Sequence, residues 1–308
     1  MTLCLFFIVS LSGCSKREEN VSDKFKIVAS FYPVHNILLN LIEGTENVSL
    51  DVIATETTGC LHDFQLGTDD MKIIEKSDAF VINGAGMEEF LDNVLEECKH
   101  TTIIDSSQGT NLIEECHHHE HNHHHKHEHH EHDECKDHHK VNSHIWLSIN
   151  NYVIQVENIS NELARLNPQN AEVYLDNARR YKDKLLFLKS NMQKKLIKIS
   201  NRNIITFHEA FPYFAREFGL NVVTSINREP NSDPSAKDLV KIIKKIKKTG
   251  VKSLFAEPQY PKTSASILAD ETGATIYELD PIVSGPFDKD AYIEAMKKNV
   301  DVLVQALS

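Results

Sequence analysis

Eighteen histidines are spread very unevenly along this chain of 308 residues, and five of them stand outside a dense tract: His35, His62, His100, His144 and His208. Three of the five lie at strand ends or loop edges. His62 is in CLHDFQ (60–65), His144 in NSHIW (142–146) and His208 in TFHEAFPYF (206–214). Asp280, in YELDPI (277–282), ends the penultimate element. Ligands of α/β lobes bind at the carboxyl ends of strands. Two of these four residues come from each half of the chain, so they could meet in a cleft. Taken singly, each reads as a structural residue, and Asp280 before Pro281 as the start of a turn. Taken together they point to a metal. His35 and His100 keep the structural reading. Phe211, Tyr213 and Phe214 read as core, and Glu209 as a solvent-facing residue in the first turn of a helix.

The remaining 13 histidines are His117, His118, His119, His121, His123, His124, His125, His127, His129, His130, His132, His138 and His139. From Glu114 to Lys140 there is no apolar periodicity, and such a segment cannot bury a core, so a mobile loop is expected. Interleaved Glu and Asp distinguish it from an expression tag. Its neutral imidazoles would give several weak, exchangeable zinc sites, suited to scavenging or sensing. Cys116 and Cys135 bracket most of the tract. They could form a disulfide at its base, bind metal as thiolates or stay as thiols, and for Cys60 and Cys98 the same three readings are open.

At the start, Leu3 to Leu11 are almost entirely apolar and too short to span a bilayer, which takes roughly 20 residues. The run ends in LSGC, which resembles the lipobox of bacterial lipoproteins, although Met1 to Leu3 carry no Lys or Arg. Residues 1–14 are therefore expected to be a lipoprotein signal, with Cys14 the lipidated residue, and 15–23 a polar tether.

Strands and helices alternate on either side of the tract. FKIVASF (25–31), VSLDVIA (48–54), AFVING (79–84) and TTIID (101–105) read as strands, with helices over 34–42, 71–76 and 87–98. This rhythm implies parallel βαβ units. A helix from Ile149 with Ser148 as N-cap follows. Beyond Pro168, apolar residues recur at steps of three and four from Ala171 to Ile199 without Gly or Pro. A helix of about 30 residues would be about 45 Å long, which suggests a rigid strut between lobes. The second half repeats the pattern: strands over 203–207, 220–226, 253–257 and 275–280, and helices over 209–218, 235–250, up to Gly273, and 288–307. The fold class is α/β, two βα lobes with mostly parallel sheets joined by one long helix. The lobes are expected at 24–167, including the 114–140 loop, and at 201–308, with the linker at 168–200.

The formal charge of −12 argues against nucleic acid, which demands a basic face. Lys241 to Lys248 read as the solvated side of a helix.

The four segments around His62, His144, His208 and Asp280 resemble the metal-binding motifs of the ABC-transporter solute-binding proteins that import zinc or manganese. The similarity runs from about Lys24 to the C-terminus and includes the uninterrupted linker helix. It implies a metal held between the lobes by His62 and His144 of the first and by His208 and Asp280 of the second. Zinc members of that family commonly carry a His- and acid-rich loop before the second ligand motif, as here. One departure is NSHIW, where many relatives have Asp-Pro before the histidine. Three imidazoles and one carboxylate suit tetrahedral Zn2+, whereas calcium or magnesium would want oxygen throughout. Manganese prefers more carboxylate, and its importers typically carry Glu where His208 stands, so Mn2+ is the lesser candidate. The resemblance implies a lipid-anchored, extracytoplasmic monomer, on the cell surface or periplasmic side, that hands zinc to an ABC permease and its ATPase. A surface zinc store or adhesin is the alternative. A secreted zinc hydrolase would need an open metal position and a general base. With no HExxH and a closed four-ligand shell, the chain is read as a non-enzyme.

Overall fold

The computed structural model describes residues 24–54, 61, 64–91, 100–115, 140–226, 234–259 and 263–308. Cys14, Cys60, His62, Cys98 and the tract from Cys116 to His139 lie outside the described residues.

The first lobe is built on β1 (Phe25–Ala29), α1 (Tyr32–Leu41), β2 (Val48–Val52), α2 (Thr68–Glu75), β3 (Ala79–Ile82) and β4 (Thr102–Asp105). All its strand pairs are parallel, in the order β2-β1-β3-β4. The central strands are apolar runs because a parallel sheet is covered on both faces, and Ile27, Val28, Ala29, Phe80 and Val81 are buried. Gly84 follows β3 with φ of +76°, and a Cβ there would lie 1.9 Å from the Asp105 carboxylate, so this turn requires glycine. Of the helix expected over 87–98, the described part is a single 3-10 turn, Glu89–Leu91.

Two short strands, β5 (Glu114–Glu115) and β6 (Lys140–Val141), pair antiparallel at the two ends of the histidine tract. Then come α3 (Ile149–Leu166), capped by the Ser148 hydroxyl accepting from Asn151 N–H at 3.2 Å, and α4 (Ala171–Leu196). Pro168 opens a 3-10 turn before α4 rather than α4 itself. At 26 residues α4 is about 39 Å long. Its spaced apolar row, Tyr174, Ala178, Tyr181, Leu185, Leu188, Met192 and Leu196, is buried as expected. It is not a bare strut. It packs against α3 and, once the chain returns, against the C-terminal helix, so it forms the spine of a core shared by both lobes.

The second lobe contains β7 (Asn203–Thr206), α5 (Pro212–Phe218), β8 (Asn221–Ser225), α6 (Ala236–Thr249), β9 (Ser253–Ala256), α7 (Thr263–Thr272), β10 (Thr275–Glu278) and α8 (Ala291–Leu307). Its sheet is parallel, in the order β10-β9-β7-β8. The helix expected from Glu209 begins instead at Pro212, whose missing N–H is harmless in a first turn. That leaves Glu209 half-buried in the turn ahead of it. The Ser235 side chain caps α6 and Gly250 ends it, within the bounds expected from the sequence.

Aromatic residues join the lobes. Tyr152 of α3 stacks on Tyr292 of α8 with ring centroids 3.9 Å apart, and Tyr292 Oη donates to the Trp146 carbonyl at 2.7 Å. Glu217, its side chain 4% exposed, accepts from Ile149 N–H at 2.6 Å and sits 3.1 Å from Lys189 Nζ. A C-lobe carboxylate thus caps the positive end of α3. No helix among the described residues is long and apolar enough to cross a membrane.

Candidate metal centre

His208 leaves the carboxyl end of β7 and Asp280 follows β10, both at the same end of the second sheet. His144 sits just ahead of α3, where the first lobe holds it from behind. Asn83, directly after β3, donates through Nδ2 to the Ser143 carbonyl at 3.0 Å. Asn83 is itself fixed by Glu88, whose Oε1 accepts from Asn83 N–H at 2.7 Å and from the Ser30 hydroxyl at 2.8 Å. Burial pushes the Glu88 carboxyl up to about 7, against the lowering effect of the Ser30 hydroxyl and the N–H groups of Asn83 and Gly84.

The imidazoles of His144 and His208 meet edge to face, with centroids 4.8 Å apart and ring planes at 82°. Both residues are buried. Two imidazoles on one tetrahedral zinc, bonded at about 2.0–2.1 Å, would place their centroids roughly 5 Å apart. The observed spacing fits that geometry.

Each ring has an oxygen beside its Nδ1. For His144 it is Asn142 Oδ1 at 3.2 Å. For His208 it is Glu257 Oε1 at 3.2 Å, a close approach without hydrogen-bond geometry between these two atoms. Glu257 closes the wholly buried strand β9 and is 2% exposed. At His144 the oxygen favours the Nδ1–H tautomer and leaves the lone pair on Nε2, the arrangement that ligating histidines use.

The Asp280 turn is held from several sides. Asn299 Oδ1 accepts from Asp280 N–H at 2.8 Å, and Asn299 Nδ2 donates to the Asp280 carbonyl at 2.7 Å. Asp280 Oδ1 accepts from Ile282 N–H at 2.8 Å and from Gln259 Nε2 at 3.4 Å. Ile282 has φ of +58°, a strained value for a β-branched residue. Trp146, whose ring lies 5.1 Å from that of His144, donates through Nε1 to the Pro281 carbonyl at 2.8 Å. Burial raises the Asp280 carboxyl above its ordinary value, and the Ile282 N–H and Gln259 oppose this.

Of the four residues singled out in the sequence, the structure brings His144 and His208 together. It sets Asp280 on a turn fastened to the neighbour of His144, and His62 lies outside the described residues. Among the described residues, no three His, Cys, Asp or Glu side chains form a group that could hold a metal. His35 is buried in α1 against Phe287, with centroids 4.5 Å apart, and burial lowers it to about 4. His100 is exposed. Sequence reasoning missed Glu257, Asn142, Gln259 and Asn299. For Glu257 a signal existed: a carboxylate terminating an otherwise apolar buried strand, SLFAE.

Two parallel α/β sheets fused along one helix, with facing imidazoles at their junction, define a bilobal binding-protein architecture. The chain belongs to the family described as zinc-uptake complex component A, periplasmic (ZnuA), whose model matches residues 27–306. The zinc-binding protein AdcA of Streptococcus pyogenes serotype M3 is 32% identical over 290 residues, covering 91% of this chain and 55% of that protein. The chain thus spans about half the length of these streptococcal relatives. The high-affinity zinc uptake system protein ZnuA of Bacillus subtilis is 30% identical over 311 residues, covering 98% of this chain and 94% of the relative. Among solved structures, the solute-binding protein FpvC of Pseudomonas aeruginosa in complex with Mn2+ has a TM-score of 0.76 at 26% identity. It covers 92% of this chain and 98% of its own.

Proposed function

We propose that this chain captures Zn2+ outside the cytoplasm and delivers it to an ABC permease driven by its ATPase. The observation that carries the reading is the pair of buried imidazoles, His144 and His208, opposed at zinc-ligand spacing with an oxygen at each Nδ1. His62 and Asp280 complete the shell in this reading. His208 tilts the choice toward zinc, since manganese gains more from a second carboxylate. Membership of the zinc-uptake family supports the same choice. The histidine tract adds weak sites that feed the tight one. Acylation of Cys14 holds the protein, a monomer, at the membrane, and its role is transport rather than catalysis.

The test is metal analysis of protein purified without added metal, paired with growth of a deletion strain under zinc chelation. Close to one equivalent of tightly held zinc and a growth defect rescued by zinc are expected. Manganese as the retained metal, or no defect, would contradict the assignment. Anchoring is tested by Cys14→Ala, expected to leave the membrane fraction or to remain unprocessed.

A further inference from the structure

Asn142 is 3% exposed and is held by both its side chain and its backbone. Its Oδ1 accepts from His144 N–H at 3.0 Å and lies 3.2 Å from His144 Nδ1. Its Nδ2 donates to the Glu209 carbonyl at 2.8 Å, across the junction between lobes. Its backbone N–H donates to the Ile113 carbonyl at 2.9 Å, and its carbonyl accepts from Tyr213 Oη at 2.6 Å. Tyr213 Oη in turn accepts from Ile113 N–H at 3.0 Å.

The orientation of the Asn142 amide follows from its partners. Turned over, Nδ2 would face the His144 N–H and Oδ1 would face the Glu209 carbonyl, two mismatches in a buried site. With Oδ1 fixed as the acceptor, the contact favours a proton on His144 Nδ1, which leaves the lone pair on Nε2. The other end of the same amide holds the residue next to His208. One side chain thus sets the ring of one proposed ligand and tethers the turn that carries the other. Only an amide does both, because a carboxylate keeps the acceptor and loses the donor.

We infer that Asn142 is a positioning residue that couples the two lobes at the metal site, orienting His144 through its side-chain oxygen and holding the His208 turn through its side-chain nitrogen. The inference rests on the reading of His144 and His208 as zinc ligands and adds a determinant of how long zinc stays bound. Aspartate at this position would orient His144 equally well but would set a carboxylate oxygen against the Glu209 carbonyl.

The experiment uses the full chain with 15N-labelled histidine, with the His144 signals assigned by their loss in His144→Gln. In metal-free protein at pH 8, wild type and Asn142→Asp should give the Nδ1–H pattern at His144, while Asn142→Ala should shift toward Nε2–H. With one equivalent of zinc loaded, release to a chelator should be about tenfold faster in Asn142→Asp, equivalent to about 1.4 kcal/mol, with the association rate within about twofold of wild type. An unchanged His144 tautomer in Asn142→Ala, or wild-type release from Asn142→Asp, overturns the inference. If Asn142→Ala does not fold, the release rate of Asn142→Asp decides. Wild-type protein that holds no zinc would instead remove the functional reading, and the metal-free spectra would still decide the orientation of His144.

Discussion

The rings of His144 and His208 come from different lobes and approach at 82° with centroids 4.8 Å apart. If both are zinc ligands as proposed, a substitution at either position should change metal affinity and the junction between lobes together. His208→Glu should retain metal binding but move the zinc-to-manganese preference toward manganese, because a carboxylate suits the harder ion. It need not reverse the order, since divalent affinities favour zinc intrinsically. Competitive titration with the two metals checks this, and an unchanged ratio would detach metal choice from His208.

Glu257 is the buried carboxylate next to His208 Nδ1. Glu257→Gln keeps the volume and removes the charge. Partners of ligating histidines typically contribute about 10–100-fold to metal affinity, and a loss in that range is expected here. Circular dichroism and the melting temperature of the metal-free protein should change little by comparison. A wild-type zinc affinity in this variant would show that His208 is oriented by other contacts.

Glu217 joins the start of α3 to α5 and pairs with Lys189. Removing one partner of a buried charged pair strands the other and uncaps two backbone N–H groups. Glu217→Ala should therefore lower unfolding stability by about 2–4 kcal/mol. Chemical denaturation of metal-free protein measures this, and a loss below about 0.5 kcal/mol, the usual range of a surface substitution, would contradict the burial argument.

His35 supplies a pH dependence with a definite sign. Its folded value is lowered from 6.5 to about 4 by burial, while Asp51 opposes the shift. The unfolded chain therefore takes up a proton first as pH falls, and stability contributed by neutral His35 is lost between about 6.5 and 4, by up to about 3 kcal/mol. Glu88 acts in the opposite sense. Its folded value is raised to about 7, so its contribution is present below about 4.5 and is lost as pH rises toward 7. The two nearly offset each other in the whole protein. His35→Leu should leave the Glu88 contribution unopposed, giving a variant whose stability relative to wild type rises on acidification from pH 7 to 5. A difference that is flat in pH would contradict this.

Elements whose identity rests on local pattern were legible in the sequence. The apolar runs of β1, β3 and β9 are strands because both faces of each sheet are covered. The row from Tyr174 to Leu196 is one helix because nothing interrupts its spacing. His208 could be singled out because an imidazole stands at a strand-to-helix junction, and His144 because one stands just before a helix. Asn142, Gln259 and Asn299 were not found. Each is a single polar residue whose role is a tertiary contact with another segment, and neither periodicity nor composition marks such a contact. The helix start at Pro212 was displaced for a similar reason: the turn at Glu209 is held by Asn142, 67 residues away.

The most direct measurement is a calorimetric zinc titration of protein lacking residues 117–139, so that the weak sites of the tract do not mask the tight one. The pairing of Glu114–Glu115 with Lys140–Val141 closes the chain at that point, so the fold and one tight site should persist while the weak equivalents disappear. His144→Ala and His208→Ala in that background should each weaken the tight site by more than about 100-fold, beyond the effect of an outer partner. Affinity should also weaken on acidification, because protons compete with zinc for imidazole. Undiminished zinc affinity in either alanine variant would contradict the account.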